Sequence, residues 1–403
     1  MPLLGDVAET LVTEQKHLDA VVEESLAEDR IGLDTEFLRE KTYSARLCLV
    51  QIATRTSIYL VDPIGDLALD GIGKVVADPA VQIVVHAGRQ DFEIFYDLFK
   101  AVPSNVFDIQ LAAGFAGYGA SLPYGRLVEA VCSETLVKGE SYSDWCRRPL
   151  TKAQLHYAAD DVRYLGLIAD RLKERLRTLG RLEWLDEEMK SMEEADTYHV
   201  DPAEAYRRVS GRGTLSGKQT AVLRELGAWR EQQAARRNVP RGWVVKDQTL
   251  IEIARRAPSS EAALKDIRGM NVREAERSAG ELMSAIQRGQ DAPAIPSTSR
   301  STGKDAQVKA RILSGLADAV VRSRCEKANI ATELVTTRAE LEAVLAEVVT
   351  GTIPEGDEAS YRLLTGWRRE IAGDAVIALA RGEIAVRATD QAPFIEEVVL
   401  GEE

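Results

Sequence analysis

The sequence predicts an α/β domain, a mixed sheet flanked by helices, followed by two all-helical bundles. Three observations carry that reading. Short apolar runs alternate with amphipathic stretches as far as Thr178. From Ser216 to Gln290 the apolar spacing is helical throughout, and residues 305–385 are helical again. Between those helical stretches, residues 291–304 are rich in Pro, Ser and Thr, the composition of a linker.

The elements follow in order. Residues 14–28 place Leu18, Val21, Val22 and Leu26 on one helical face. Strand-like runs occupy 30–37, 47–54 and 57–62, and the short connection Thr54-Arg55-Thr56-Ser57 suits an antiparallel hairpin. A helix over 67–77 and a strand over 81–86 come next. The amphipathic helix over 91–99 turns Phe92, Phe95 and Phe99 to the core. Val106-Phe107-Asp108 is a short strand leading into a helix over 109–116, and 155–178 reads as one long helix. Glu187, Glu188, Glu193, Glu194 and Asp201-Pro202 mark a connector. The first bundle is interrupted at Asn238-Val239-Pro240 and Ala257-Pro258, the second by a turn at 351–356. The division is therefore 1–185 for the α/β domain, 186–211 for the connector and 212–290 for the first bundle. A linker at 291–304, a second bundle at 305–390 and a loosely held acidic tail at 391–403 complete it.

Composition narrows the possibilities. At 403 residues, two or three domains are expected. No apolar run approaches the roughly 18 residues that span a membrane. Residues 1–14 carry acids early and lack a basic start before an apolar stretch, so no secretory signal is expected and the chain reads as cytoplasmic. Cys48, Cys132, Cys146 and Cys325 include no C-x-x-C pair, and there are four histidines, so buried free thiols are expected rather than a zinc cluster or disulfides. The net charge is −13, but it is unevenly spread. Residues 1–211 hold 23 Lys and Arg against 36 Asp and Glu, 212–290 hold 15 against 9, and 291–403 hold 13 against 19. A basic module beside an acidic one suits an enzyme that handles a polyanion.

The acidic residues carry the chemistry. Asp34 and Glu36 are two apart on a strand and share a face. Asp91 lies just past a strand, at a helix start. Tyr157 and Asp161 are four apart on a helix and share a face. Carboxylates gathered in this way repel one another unless a cation sits between them. Oxygen ligands without His or Cys point to two Mg²⁺ or Mn²⁺ ions, and to metal-assisted phosphoryl transfer. The Tyr157 phenol would orient a metal-bound water. Each motif alone is commonplace: a D-x-E can be a solvated strand edge, and Tyr157 can be plain packing. Lys138, Arg147 and Arg148 either contact a phosphodiester chain or lie on the surface. His86 and His156 read as packed or surface residues.

These stretches resemble the DEDD superfamily of 3′→5′ exonucleases, in the branch with a tyrosine in its third motif, and within it the ribonuclease D family. The match runs through Asp34-Thr35-Glu36-Phe37, residues 47–53, His86-Ala87-Gly88-Arg89-Gln90-Asp91 and Phe107-Asp108-Ile109-Gln110. It continues through Lys138-Gly139-Glu140, Ser143-Asp144-Trp145, Arg147-Arg148-Pro149-Leu150 and residues 157–162. The resemblance covers most of residues 25–180 and implies an RNase H-like α/β fold. It also implies Asp34, Glu36, Asp91 and Asp161 as metal ligands and Tyr157 as the residue placing the attacking water. Asp161 is chosen over Asp160 because the family ligand lies four residues after the tyrosine, which leaves Asp160 a surface acid.

The first bundle is similar to the nucleic-acid-binding HRDC module through Trp229-Arg230, Asn238-Val239-Pro240, Asp247, Leu250 and Gly269-Met270. Packing on the catalytic domain alone is the competing reading. Residues 305–385 resemble a more divergent second copy through Leu334, Leu341, Leu345 and Gly366-Trp367-Arg368-Arg369. The resemblance implies a monomeric, metal-dependent exoribonuclease. It would release nucleoside 5′-monophosphates from RNA with a free 3′ end, such as tRNA precursors, without a membrane or a disulfide-linked partner. A DNA exonuclease and a non-catalytic nucleic-acid-binding scaffold remain the alternatives.

Overall fold

The computed structural model describes residues 7–137, 139, 143–295, 304–351 and 361–400. Its first layer is a six-stranded mixed sheet in the order β1-β4-β3-β2-β5-β6. The strands are β1 (Ala8–Val12), β2 (Arg30–Leu38), β3 (Arg46–Ala53), β4 (Ser57–Val61), β5 (Gln82–Val85) and β6 (Val106–Asp108). β2 pairs antiparallel with β3 and parallel with β5. It therefore lies inside the sheet, where its Ile31 and Leu33 are almost fully buried.

The hairpin, the strand runs and the helix starts agree with the sequence reading to within a few residues. The helices of this domain are α1 (Gln15–Ala27), α2 (Asp70–Ala77), α3 (Arg89–Phe99), α4 (Ile109–Phe115), α5 (Tyr124–Cys132), α6 (Lys152–Arg163), α7 (Leu165–Leu179), α8 (Leu182–Lys190) and α9 (Ala195–Tyr198). Strand β1 and helix α5 were not expected. β1 has only Val12 fully buried, so its periodicity gives little signal.

The single helix expected over 155–178 is two. α6 ends at Arg163, where the backbone N–H of Tyr164 donates to the Tyr124 hydroxyl at 3.2 Å. A side chain inserted at the ladder is a usual cause of such a break.

The first bundle comprises α10 (Gly217–Arg237), α11 (Arg241–Val244), α12 (Asp247–Arg256), α13 (Glu261–Lys265) and α14 (Val272–Asp291). α10 stops at Asn238 and α12 at Ala257, both in the left-handed region, at the two breaks read from the sequence. The bundle has its own core, which begins before residue 212. Tyr206 and Val209, from and just after a 3-10 turn over Pro202–Arg208, belong to that core. A Cβ at Gly227 would stand 3.0 Å from the backbone of Tyr206, so the turn and α10 pack backbone to backbone. The expected connector is thus in part the bundle's first layer.

The C-terminal module comprises α15 (Lys304–Ala328), α16 (Thr332–Val335), α17 (Arg338–Thr350), α18 (Gly366–Arg368) and α19 (Asp374–Arg381). Most of the turn expected at 351–356 lies outside the described residues. The acidic tail is not loose: β7 (Ile384–Ala388) and β8 (Ile395–Val399) form an antiparallel hairpin. Arg324 pins it through Glu397, at 2.7 and 2.8 Å. This module shares one continuous core with the α/β domain. Trp367 stacks on Trp184 at 5.3 Å and meets Phe115 edge-on at 5.1 Å. Arg181 donates to the carbonyl oxygens of Phe115, Ala328 and Asn329 across the seam.

The expectation of four free thiols is corrected. Cys48 on β3 and Cys146 form a disulfide with Cα atoms 5.0 Å apart, while Cys132 and Cys325 are free and buried. The partners are 98 residues apart, and spacing gives no hint that the segment before α6 folds back onto β3.

Candidate active site

β2 supplies the first two carboxylates. Asp34 lies opposite Gln51 and Glu36 opposite Leu49, and the register shifts between Glu36 and Phe37. A bulge at this point bends the strand and re-aims the side chains beyond it. Asp34 and Glu36 are half-buried at the outer part of β2.

Asp91 sits in the first turn of α3, just past the turn that leaves β5. The Asp108 carboxylate fixes that turn by accepting from the N–H groups of Ala87 and Gly88, both at 3.1 Å, and from Gln110 at the start of α4. Gly88 is required, since a Cβ there would lie 2.6 Å from Val85. Asp91 is buried and accepts a hydrogen bond from the Thr35 hydroxyl.

α6 carries the last pair. A capping box between Thr151 and Gln154 starts it, worth about 1 kcal/mol. Ala158, Ala159 and Val162 bury one side, and Tyr157 and Asp161 lie half-buried beside them. The ring of Trp145 packs 6.0 Å from that of Tyr157.

Electrostatics ties the four acids together. Asp34 is raised well above the usual carboxylate range by burial, then by the charges of Asp91, Asp161 and Glu36. Burial, then Asp161 and Asp91, push Glu36 up to about 9. Burial takes Asp91 up to about 7 against the Thr35 hydrogen bond. Burial and Asp160 take Asp161 up to about 7. Among the described residues, none of the four pairs with a Lys or Arg. A hard cation is the partner this donor set lacks, so the residues fit one.

The four are not a ready-made coordination shell. Among the described residues, no three His, Cys, Asp or Glu side chains converge at metal-binding geometry. Asp91 is turned to Thr35, whose side chain alternates away from Asp34 and Glu36 along β2.

Other expected residues fall elsewhere. Arg148 neither reaches outward nor lies free on the surface. Its guanidinium grips Asp62 at 2.5 and 2.6 Å and the Cys48 carbonyl at 2.6 Å, which holds the Trp145–Cys146 segment on β3. The Arg147 side chain is exposed and has no partner among the described residues. Lys138 lies outside the described residues. Asp160 pairs with Arg163 and is near His156, which is exposed. His86 is half-buried, its Nε2 3.0 Å from the Leu122 carbonyl. Sequence reasoning missed Thr35 and Tyr124. The Tyr124 hydroxyl donates to the Asp160 carbonyl at 3.1 Å and so holds the end of α6.

The first bundle meets the site's rim. The loop after β2 offers Tyr43, whose hydroxyl bonds Glu231 and whose ring lies 4.8 Å under Arg241. The backbone N–H groups of Tyr43 and Ser44 donate to the Asn238 side chain. Arg39 pairs with Glu93, two residues beyond Asp91, at 2.7 Å.

The mixed sheet and the helices that carry these carboxylates form a 3′-5′ exonuclease domain: the family model of that description matches residues 10–177. The HRDC domain model matches residues 219–286. Ribonuclease D of Granulibacter bethesdensis is 36% identical over 384 residues, 94% of each chain. Ribonuclease D of Jannaschia sp. is 34% identical over 96% of this chain and 99% of its own. The crystal structure of Escherichia coli RNase D, an exoribonuclease involved in structured RNA processing, superposes with a TM-score of 0.77 at 28% identity, over 93% of this chain and 99% of that one. The chain belongs to the ribonuclease D family, whose exonuclease domain is divalent-metal dependent. Among the described residues no helix is long and apolar enough to cross a membrane.

Proposed function

We propose that the protein is a 3′→5′ exoribonuclease that hydrolyses the terminal phosphodiester of RNA and releases nucleoside 5′-monophosphates. One observation carries this: four mutually repelling carboxylates on β2, α3 and α6, with no cationic partner among the described residues. Asp34, Glu36, Asp91 and Asp161 would hold two Mg²⁺ or Mn²⁺ ions, which supply an activated water and shield the leaving oxygen. Tyr157 orients that water, and the packing of Trp145 fixes the phenol. Arg147 and Lys138 serve the phosphodiester chain. The basic first bundle guides the strand, and residues 305–390 are a divergent HRDC-like module that braces the catalytic domain. Precursor tRNA ends are substrates of the kind this reading expects.

The test is hydrolysis of matched 5′-labelled RNA and DNA oligonucleotides with Mg²⁺ or Mn²⁺, with and without chelator. The reading expects RNA to shorten one nucleotide at a time and chelator to stop it. Faster loss of DNA than RNA would make the protein a DNA exonuclease, and loss of neither would make it a binding scaffold.

A further inference from the structure

We propose that Trp243 is a stacking platform for a base of the incoming RNA strand, an inference that rests on the exoribonuclease reading above. Large aromatic side chains in a folded protein are mostly covered. Trp145, Trp229 and Trp367 are all buried here, yet Trp243 is 63% exposed.

Its position gives the exposure a purpose. Trp243 is on the four-residue helix α11, two residues after Arg241. Arg241 bonds Glu231 at 2.6 Å and covers Tyr43, so α11 is fastened to the loop that leaves β2. That loop starts at Arg39, three residues past Glu36, or roughly 10 Å along a strand. Arg39 closes on Glu93, on the helix that begins beside Asp91. The tryptophan is therefore on an element attached to the rim of the carboxylate site.

Two basic side chains accompany it on this bundle: Lys246, three residues on, and Arg208, at the end of the 3-10 turn that packs on α10. The side chains of Lys246 and Arg208 are exposed, and neither makes a hydrogen bond or close ion pair among the described residues. The charge of Arg208 reaches both Glu93 and Glu231, which places it on the same rim. A flat, exposed aromatic face on a basic module suits a single-stranded nucleic acid: bases stack on the ring and phosphates meet the module's cations. An acidic protein partner would be steered by the same cations but would have no need of a bare indole face. Stacking is tolerant of sequence, because every base has a π-face, so Trp243 adds affinity without choosing bases.

The test measures binding of fluorescently labelled rA and rU 12-mers to the full chain in chelator, and hydrolysis of the same RNAs with Mg²⁺. Trp243→Ala should weaken binding by roughly 10-fold, by a similar factor for both RNAs. Trp243→Phe should restore most of that loss. KM should rise in the alanine variant while kcat at saturation and the melting temperature stay at the wild-type values. If the wild type cleaves RNA and Trp243→Ala binds as tightly as it does, the stacking proposal fails alone and the indole is left to a protein partner. If the wild type neither binds nor cleaves RNA, the exoribonuclease reading fails and this inference falls with it.

Discussion

At the scale of single residues, the site is a set of acids held in an unfavourable state. Asp34 depends on strand alternation, Asp91 on the Asp108-braced turn, and Asp161 on a helix stopped by Tyr124. Asp34→Asn should abolish hydrolysis and leave circular dichroism unchanged, and because it removes a repelled carboxylate it should raise the metal-free melting temperature. Wild-type turnover in that variant would contradict the assignment. The pH dependence has a definite sign. Unfolded carboxyls titrate near 4, whereas Asp91 and Asp161 are at about 7 and Glu36 at about 9 in the fold. Between those limits the folded chain holds protons that the unfolded chain has released, so stability is highest below pH 4 as far as these groups are concerned and falls as pH rises through 7 to 9. In chelator the melting temperature should therefore drop across that window, and less so in Asp161→Asn. Divalent ions should recover it and release protons on binding. Asp34 with Glu36 and Tyr157 with Asp161 stood out in the sequence because strand alternation and four-residue helical spacing are local patterns, while the choice of Asp161 over Asp160 came from the family resemblance. The Thr35 contact to Asp91 was not legible, since it joins residues 56 apart.

At the scale of elements, the segment before α6 shows what long-range pairing hides. Arg148 read as a phosphate contact or a surface charge, but it anchors Asp62 and the Cys48 carbonyl. Arg148→Ala leaves a mostly buried Asp62 unpaired, a loss of roughly 3 kcal/mol, measurable as a lower denaturation midpoint. It should also loosen Trp145 behind Tyr157 and slow hydrolysis. Wild-type stability in that variant would mean the pair is dispensable. The end of α10 was readable because Asn238-Val239-Pro240 announced it locally, whereas the Thr151–Gln154 capping box was missed and its helix was expected from residue 155 rather than Lys152. The break at Tyr164 was unreadable because the hydroxyl that causes it comes from Tyr124, 40 residues earlier.

At the scale of the whole molecule, the two helical modules differ in attachment. The C-terminal module closes the catalytic core through Trp367, Trp184 and Phe115, whereas the first bundle keeps its own core and touches the rim through Tyr43. Replacing residues 203–295 with a flexible Gly/Ser linker should leave a chain that still melts cooperatively. Removing 304–400 should expose that aromatic face and cause aggregation, which light scattering would detect. The sequence pattern showed two bundles but not this asymmetry, because helical periodicity marks a buried face without naming what buries it. The most direct test of the account is the first product from an RNA labelled in its 3′-terminal nucleotide, in the presence of Mg²⁺ or Mn²⁺. The account predicts labelled nucleoside 5′-monophosphate from the wild type, none with chelator and none from Asp34→Asn. A labelled oligonucleotide as first product, or the same mononucleotide from Asp34→Asn, would contradict it.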